Sequence, residues 1–273
     1  MSKFSNEIRI ETLKMLKQRG FGHIGGSMSI VETLAVLYRD IMKVDPKNPN
    51  WDDRDYLVLS KGHAGPALYS TLSLKGYFEK SILLTLNNNG TSLPSHCDKN
   101  LTPGIDMTTG SLGQGISSAV GIAKALKMQQ KENKVFCIIG DGELNEGQCY
   151  EALQFAFHHK LDNFILFVDE NKLQLDGYTK DILDQGDIAN KIRSFGFNTI
   201  YIDGHNEELI NQTIQNAYKV KNVPTCIVLD TIKSKGFKPL VGSVSNHHAR
   251  FNEEQNIQID TVIQELEETN KWL

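Results

Sequence analysis

The residues of this chain best suited to hold a metal and an anion lie in two short polar runs. Gly140-Asp141-Gly142 follows the apolar run 135–139, and Asn171 follows a second apolar run, 164–169. An Asp carboxylate and an Asn amide oxygen are hard donors, suited to Mg²⁺ or Ca²⁺ when phosphate oxygens complete the coordination. The flanking glycines Gly140 and Gly142 let the backbone turn tightly and approach an anion closely. A helix beginning near Gly147 offers amide dipoles to the same anion. Asp-Gly alone is ordinary turn chemistry; the Asn at this spacing, each half after an apolar run, is what makes a site of it. His23, His63 and His96 stand in Gly- or Pro-bearing loops, and a His247-His248 pair stands near the C-terminus. Imidazole titrates near working pH and can both donate and accept a proton. His158 and His159 end a predicted helix and read as charge complements to its C-terminus.

The elements that must position these residues are strands and helices in alternation. Runs at 56–60, 135–139, 164–169, 199–203 and 225–231 read as buried strands. Helical spacing joins Ile116, Val120, Ala123 and Leu126 over 115–131, Ala152, Phe155 and Ala156 over 148–159, and Leu209, Ile210, Ile214 and Ala217 over 206–220. Two N-terminal helices are expected at about 5–19 and 29–42, and a charged one at about 252–271. Strands that are apolar throughout are covered on both faces, which marks a mostly parallel sheet in an α/β fold. Twenty-eight residues lie between Gly142 and Asn171, enough for one right-handed helical crossover. Asp141 and Asn171 are therefore expected side by side at the carboxyl edge of the sheet, where ligands of such folds bind. With no repeat, linker or shift of composition, residues 1–273 read as one domain.

Composition narrows the function. The 273 residues carry 29 Lys+Arg against 33 Asp+Glu, a net charge of -4, with 40% apolar and 23% charged residues. That is globular rather than disordered, and the acidic balance gives no footprint for nucleic acid. No window approaches the roughly 18 apolar residues of a membrane span, and the N-terminus lacks a signal core. Cys97, Cys137, Cys149 and Cys226 lie far apart without a CxxC pair, as expected of reduced thiols in a cytoplasmic protein.

Several segments, in order, resemble transketolase, and in particular the N-terminal subunit of transketolases split into two chains. These are Gly22-His23-Ile24-Gly25-Gly26-Ser27-Met28, Ser60-Lys61-Gly62-His63-Ala64, His96 with Thr108-Thr109-Gly110-Ser111-Leu112-Gly113-Gln114-Gly115, Gly140-Asp141-Gly142-Glu143-Leu144-Asn145-Glu146-Gly147-Gln148, Asp169-Glu170-Asn171-Lys172-Leu173, Asp203-Gly204-His205-Asn206 and Thr231-Ile232-Lys233-Ser234-Lys235-Gly236. The match runs from about residue 6 to 250. It implies a thiamine-diphosphate-binding fold in which Asp141, Asn171 and the Leu173 carbonyl hold Mg²⁺, with Ca²⁺ or Mn²⁺ as substitutes. It also implies that Gly110, Leu112, Gly140, Gly142 and His63 contact the cofactor, and that His23 and His96 bind ketose hydroxyls and assist proton transfer. One of His247 and His248 matches a further family histidine; a one-residue gap leaves open which. Glu146 falls where the family places an acid at the subunit interface.

The implied reaction moves a two-carbon ketol unit from a ketose phosphate to an aldose phosphate. The family places the cofactor-activating Glu and the phosphate-gripping arginines on a second domain. A separate C-terminal, pyrimidine-binding subunit is therefore expected, in an α₂β₂ heterotetramer. Two departures stand out: Ile24-Gly25-Gly26-Ser27 where Pro-Gly-Gly/Ala-Ser is commoner, and Ser243 to Asn246 where Trp-His is usual. They leave room for a specialised sugar. The competing readings are the α subunit of a 2-oxoacid dehydrogenase, a silent cofactor-binding partner and a phosphate- or sugar-binding module.

Overall fold

The computed structural model describes residues 2–273. Helix α1 (Lys3–Arg19) starts at a reciprocal cap between Ser2 and Ser5 and stops at Gly20, whose φ of 81° only glycine adopts without strain. The chain continues through β1 (Phe21–Gly22), α2 (Ile24–Met28), α3 (Val31–Val36), β2 (Tyr56–Leu59) and α4 (Gly65–Lys75). Then follow α5 (Gln114–Met128), β3 (Val135–Gly140), α6 (Gly147–His158), β4 (Phe164–Glu170), α7 (Thr179–Ile182) and α8 (Ile188–Ser194). Strand β5 (Asn198–Asp203), α9 (Glu207–Ala217), β6 (Thr225–Asp230), β7 (Ala249–Arg250) and α10 (Glu253–Thr269) complete it.

Five strands form one parallel sheet in the order β2-β3-β4-β6-β5. Alternate residues of the central strands serve opposite faces. Phe136, Ile138, Ile165, Phe167, Ile227 and Leu229 share one core with α1, α3, α4, α9 and α10, while Cys137, Ile139, Leu166, Val168, Cys226 and Val228 share a second with α5, α6 and α8. This double burial is why the strands read as unbroken apolar runs. β1 and β7 form a separate antiparallel ribbon with Phe21 opposite Arg250 and Gly22 opposite Ala249.

The helix expected at 29–42 is instead α3 followed by a π-helical turn, Leu37–Ile41. At the junction of α2 and α3 the Ser29 hydroxyl donates to Asp169 Oδ2 at 2.7 Å. Helix α4 has no amphipathic signature because residues 65–73 are all buried. All four cysteines are buried free thiols. Among the described residues no helix is long and apolar enough to cross a membrane.

Candidate functional site

Parallel pairing sets Gly140 opposite Asp169, so the chain leaves β3 and β4 at one point of the sheet's carboxyl edge. Over that point opens a cavity of about 310 Å³, lined by Lys61, His63, Leu112, Gly140, Asp141, Gly142, Glu146, Asn171, Leu173, Lys233 and His247. A larger hollow of about 720 Å³ lies beside the start of α9. It is a shallow polar surface whose Arg39 is already paired with Asp40 and Glu207, so the chemistry belongs to the smaller cavity.

Asp141 and Asn171 are fixed on the cavity floor by backbone donors. Asp141 Oδ1 accepts from Gly142 N at 2.8 Å and Oδ2 from Lys172 N at 2.7 Å. Asn171 Oδ1 accepts from Leu173 N at 3.1 Å, while its Nδ2 donates to Asp169 Oδ2 at 2.7 Å. That second bond decides which amide atom faces the cavity. Burial, reinforced by Asp169, pushes the Asp141 carboxyl up to about 7. Lys233 Nζ donates to the carbonyls of Leu173 at 3.0 Å and Gln174 at 3.3 Å, placing an ammonium beside those oxygens. Among the described residues no cluster of three or more His, Cys, Asp or Glu could hold a metal unaided. One carboxylate, one amide oxygen and one carbonyl suit Mg²⁺, which takes few protein ligands and completes its octahedron with phosphate.

A Cβ built on Gly140 meets no protein atom within 4 Å, whereas one on Gly62 would stand 2.6 Å from Thr109 Oγ1 and one on Gly115 2.5 Å from Ser60 Oγ. Gly62 and Gly115 are thus required for packing, while Gly140 keeps open the space a diphosphate would fill. Gly140→Ala is expected to melt within about 1 °C of wild type, as for a change without steric conflict, yet to bind thiamine diphosphate more weakly. Thermal denaturation and a cofactor titration check the two halves.

Five histidines gather at the cavity mouth. His23 lies 5.7 Å from His63, 5.3 Å from His96, 5.5 Å from His247 and 4.7 Å from His248, between ring centroids. His247 lies 4.7 Å from His63 and takes a 3.4 Å contact from Lys233 Nζ. Both members of the C-terminal pair therefore join the cluster, on different sides: His247 lines the cavity and His248 packs on His23. Burial, then His248, His247 and His96, lowers His23 to about 3; burial, then Lys233 and Lys61, lowers His247 to about 4. His63 and His96 are lowered for the same reason. These four imidazoles are neutral at pH 7, each with one nitrogen to donate and one to accept. His158 and His159 lie at the end of α6, where His159 packs on Phe155 at 4.3 Å.

Residue type and spacing gave no role to the groups that organise this floor. Asp169, fully buried, accepts from Lys61 Nζ at 2.5 Å, Ser29 Oγ at 2.7 Å and Thr231 Oγ1 at 2.5 Å, besides Asn171. Burial opposes its charge, but Lys61 and these hydroxyls keep the carboxyl below its ordinary range. Lys61 and Lys233 are both buried cations at the floor, and burial followed by Lys61 lowers Lys233 to about 8. Glu143 accepts from Gly113 N at 2.8 Å and Ser60 Oγ at 2.5 Å, tying the Leu112 loop to the Asp141 turn. His205 contacts Glu32 Oε2 at 3.1 Å through Nδ1 and accepts from Ile232 N at 2.9 Å through Nε2, which anchors the segment carrying Lys233. The signals for Lys61, Asp169 and Lys233 were their place just after, or at the end of, predicted strands and their membership of the segments that resemble transketolase, which gave them no role.

A parallel sheet with oxygen donors, buried lysines and glycine turns at its carboxyl edge defines a diphosphate-binding α/β protein. The family model described as transketolase, thiamine diphosphate binding domain, matches residues 1–264. The chain is 51% identical over 250 residues to the 6-deoxy-6-sulfo-D-fructose transketolase subunit SqwG of Clostridium sp. (strain MSTE9), covering 92% of this chain and 91% of that protein. It is 34% identical over 270 residues to an apulose-4-phosphate transketolase subunit of Phocaeicola vulgatus, covering 97% and 96%. The solved transketolase from Campylobacter jejuni superposes with a TM-score of 0.87 at 31% identity; the match covers 98% of this chain and 47% of that one. The chain belongs to the transketolase family, as the thiamine-diphosphate-binding subunit of a transketolase-type transferase.

Proposed function

We propose that this chain works with a separate pyrimidine-binding subunit to transfer a two-carbon ketol unit from 6-deoxy-6-sulfo-D-fructose to an aldose phosphate. The observation that carries the reading is a single cavity with oxygen donors and two lysines at its floor and neutral histidines at its mouth. Asp141, Asn171 Oδ1 and the Leu173 carbonyl hold Mg²⁺, and Lys61 and Lys233 offset the diphosphate charge. Leu112, 37% exposed between Gly110 and Gly113, supplies an apolar surface to the cofactor rings. When bound, thiamine diphosphate supplies the nucleophilic carbon and the electron sink that no side chain offers. His23 and His96, neutral and able both to donate and to accept, hydrogen-bond the ketose hydroxyls, while His63 and His247, which line the cavity, face the cofactor.

The donor follows from the 51% identical relative, whose name carries that sugar. Removing two carbons from a six-carbon ketose leaves a four-carbon aldehyde that keeps the sulfonate. A ketose phosphate donor is the second reading, favoured by the relative named for apulose 4-phosphate. The partner subunit is supported by the cavity's open side, where Leu175 is 60% exposed and Glu146 also faces out. An α₂β₂ assembly would cover that side.

The test is ketol transfer to ribose 5-phosphate with thiamine diphosphate and Mg²⁺, by this chain alone and with the candidate partner subunit. Transfer from the sulfonated hexulose by the mixture only is the expected result. Turnover by this chain alone would overturn the shared site, and transfer confined to ketose phosphates would replace the donor.

A further inference from the structure

An asparagine amide has two ends of nearly the same shape, an oxygen that binds a hard cation and an NH₂ group that repels one. Asn171 can serve a metal only while its oxygen is turned to the cavity. Two contacts bear on that choice. Leu173 N donates to Oδ1 at 3.1 Å, a long bond to the oxygen that the metal itself needs. Nδ2 donates to Asp169 Oδ2 at 2.7 Å, a shorter, charge-assisted bond at the opposite end of the amide. An ionised carboxylate has no proton to give, so it meets only the NH₂ end; an amide in its place could meet either.

Asp169 is itself held from three other parts of the chain. Ser29 Oγ reaches it from the junction of α2 and α3 at 2.7 Å, Lys61 Nζ from the segment after β2 at 2.5 Å, and Thr231 Oγ1 from just after β6 at 2.5 Å. Its backbone is fixed between two strands, opposite Gly140 on β3 and Leu229 on β6. The side chain is fully buried, so water does not compete for its oxygens, and Lys61 pairs its charge. A carboxylate held this firmly is a rigid template for the amide two residues on.

We infer that Asp169 is a positioning residue of the metal site: it turns the Asn171 amide so that Oδ1, not Nδ2, meets the cation. The inference rests on the thiamine-diphosphate reading for the identity of the site, and on the hydrogen bonds alone for the orientation. It follows that carboxylate and amide can exchange places. With Asn at 169 the amide at 171 loses its template. With Asp at 171 no template is needed, since both ends of a carboxylate are oxygens.

The test uses this chain assembled with its candidate partner subunit. Equilibrium dialysis gives the Mg²⁺ concentration that half-saturates thiamine diphosphate binding. Asp169→Asn raises that concentration about 10–100-fold, as for removal of an outer partner of a metal ligand. Asp169→Asn/Asn171→Asp recovers most of the loss, although Lys61, Ser29 and Thr231 still lack their carboxylate. A purely structural Asp169 would leave the double variant as weak as the single one. Asn171→Asp by itself probes the contact without requiring Asp169→Asn to fold. It sets two buried carboxylates against each other, so this chain in EDTA melts about 5 °C or more below wild type. An unchanged Mg²⁺ requirement in Asp169→Asn, no recovery in the double variant, or an Asn171→Asp chain that melts like wild type overturns the inference. If the wild-type assembly binds no thiamine diphosphate with Mg²⁺, the cofactor reading falls instead, and the melting arm still decides whether Asp169 holds the amide at 171.

Discussion

Asp141→Ala is expected to abolish Mg²⁺-dependent binding of thiamine diphosphate while leaving the chain folded. The loss should exceed the roughly 10–100-fold typical of removing an outer partner of a metal ligand, because Asp141 is the one carboxylate of its donor set. Ketol transfer by the assembled enzyme should fall with it, by about 10³-fold or more, as for loss of a charge-stabilising group. Stability should move the other way. Asp141 is 2% exposed and faces the buried Asp169 carboxylate, so without metal its charge costs the fold free energy. Asp141→Asn keeps the shape and should melt at or above the wild-type temperature. A cofactor titration and a melting curve on the same preparations check both halves. Tight metal-dependent binding by Asp141→Ala would move the metal elsewhere.

Arg9→Met is the substitution expected to cost the most stability. Arg9 and Glu32 are both 0% exposed and joined at 2.5 Å, and His205 contacts the other Glu32 oxygen. Removing the cation strands a buried carboxylate, a change worth about 3–5 kcal/mol, or on the order of 10 °C in a chain of this size. Arg9→Met/Glu32→Leu removes both charges and should recover most of that loss. Arg9 Nε also donates to Lys235 O at 3.4 Å, so the single variant should loosen the segment carrying Lys233 and weaken cofactor binding as well. The pair has a pH signature. Burial pushes Glu32 up, but Arg9 and His205 outweigh it and hold the carboxyl below its ordinary 4.5. A depressed carboxyl stabilises the fold above its ordinary value and loses that contribution as pH falls through the folded one. Wild type should therefore lose stability below about pH 4.5 more steeply than the double variant, as chemical denaturation across that range would record.

The amino-acid sequence by itself determined the parallel sheet, because strands buried on both faces must be apolar at every position and cannot hide it. It also determined that Asp141 and Asn171 meet, since two strands joined by a single crossover bring the residues after them to one edge. Spacing could not assign α4, which is buried all round from 65 to 73, nor the bond from Ser29 to a carboxylate 140 residues away in sequence. The same holds for Lys61, Asp169 and Lys233. Each is one charged residue at a strand end, and only packing three strand ends together makes them a floor. The tertiary structure alone separated His247 from His248, because a ribbon of two residues per strand sets their facing and no periodicity can be read from so short a pairing. It alone brought Arg19 and Arg250, 231 residues apart in sequence, to within 4.5 and 5.8 Å of the Phe21 ring.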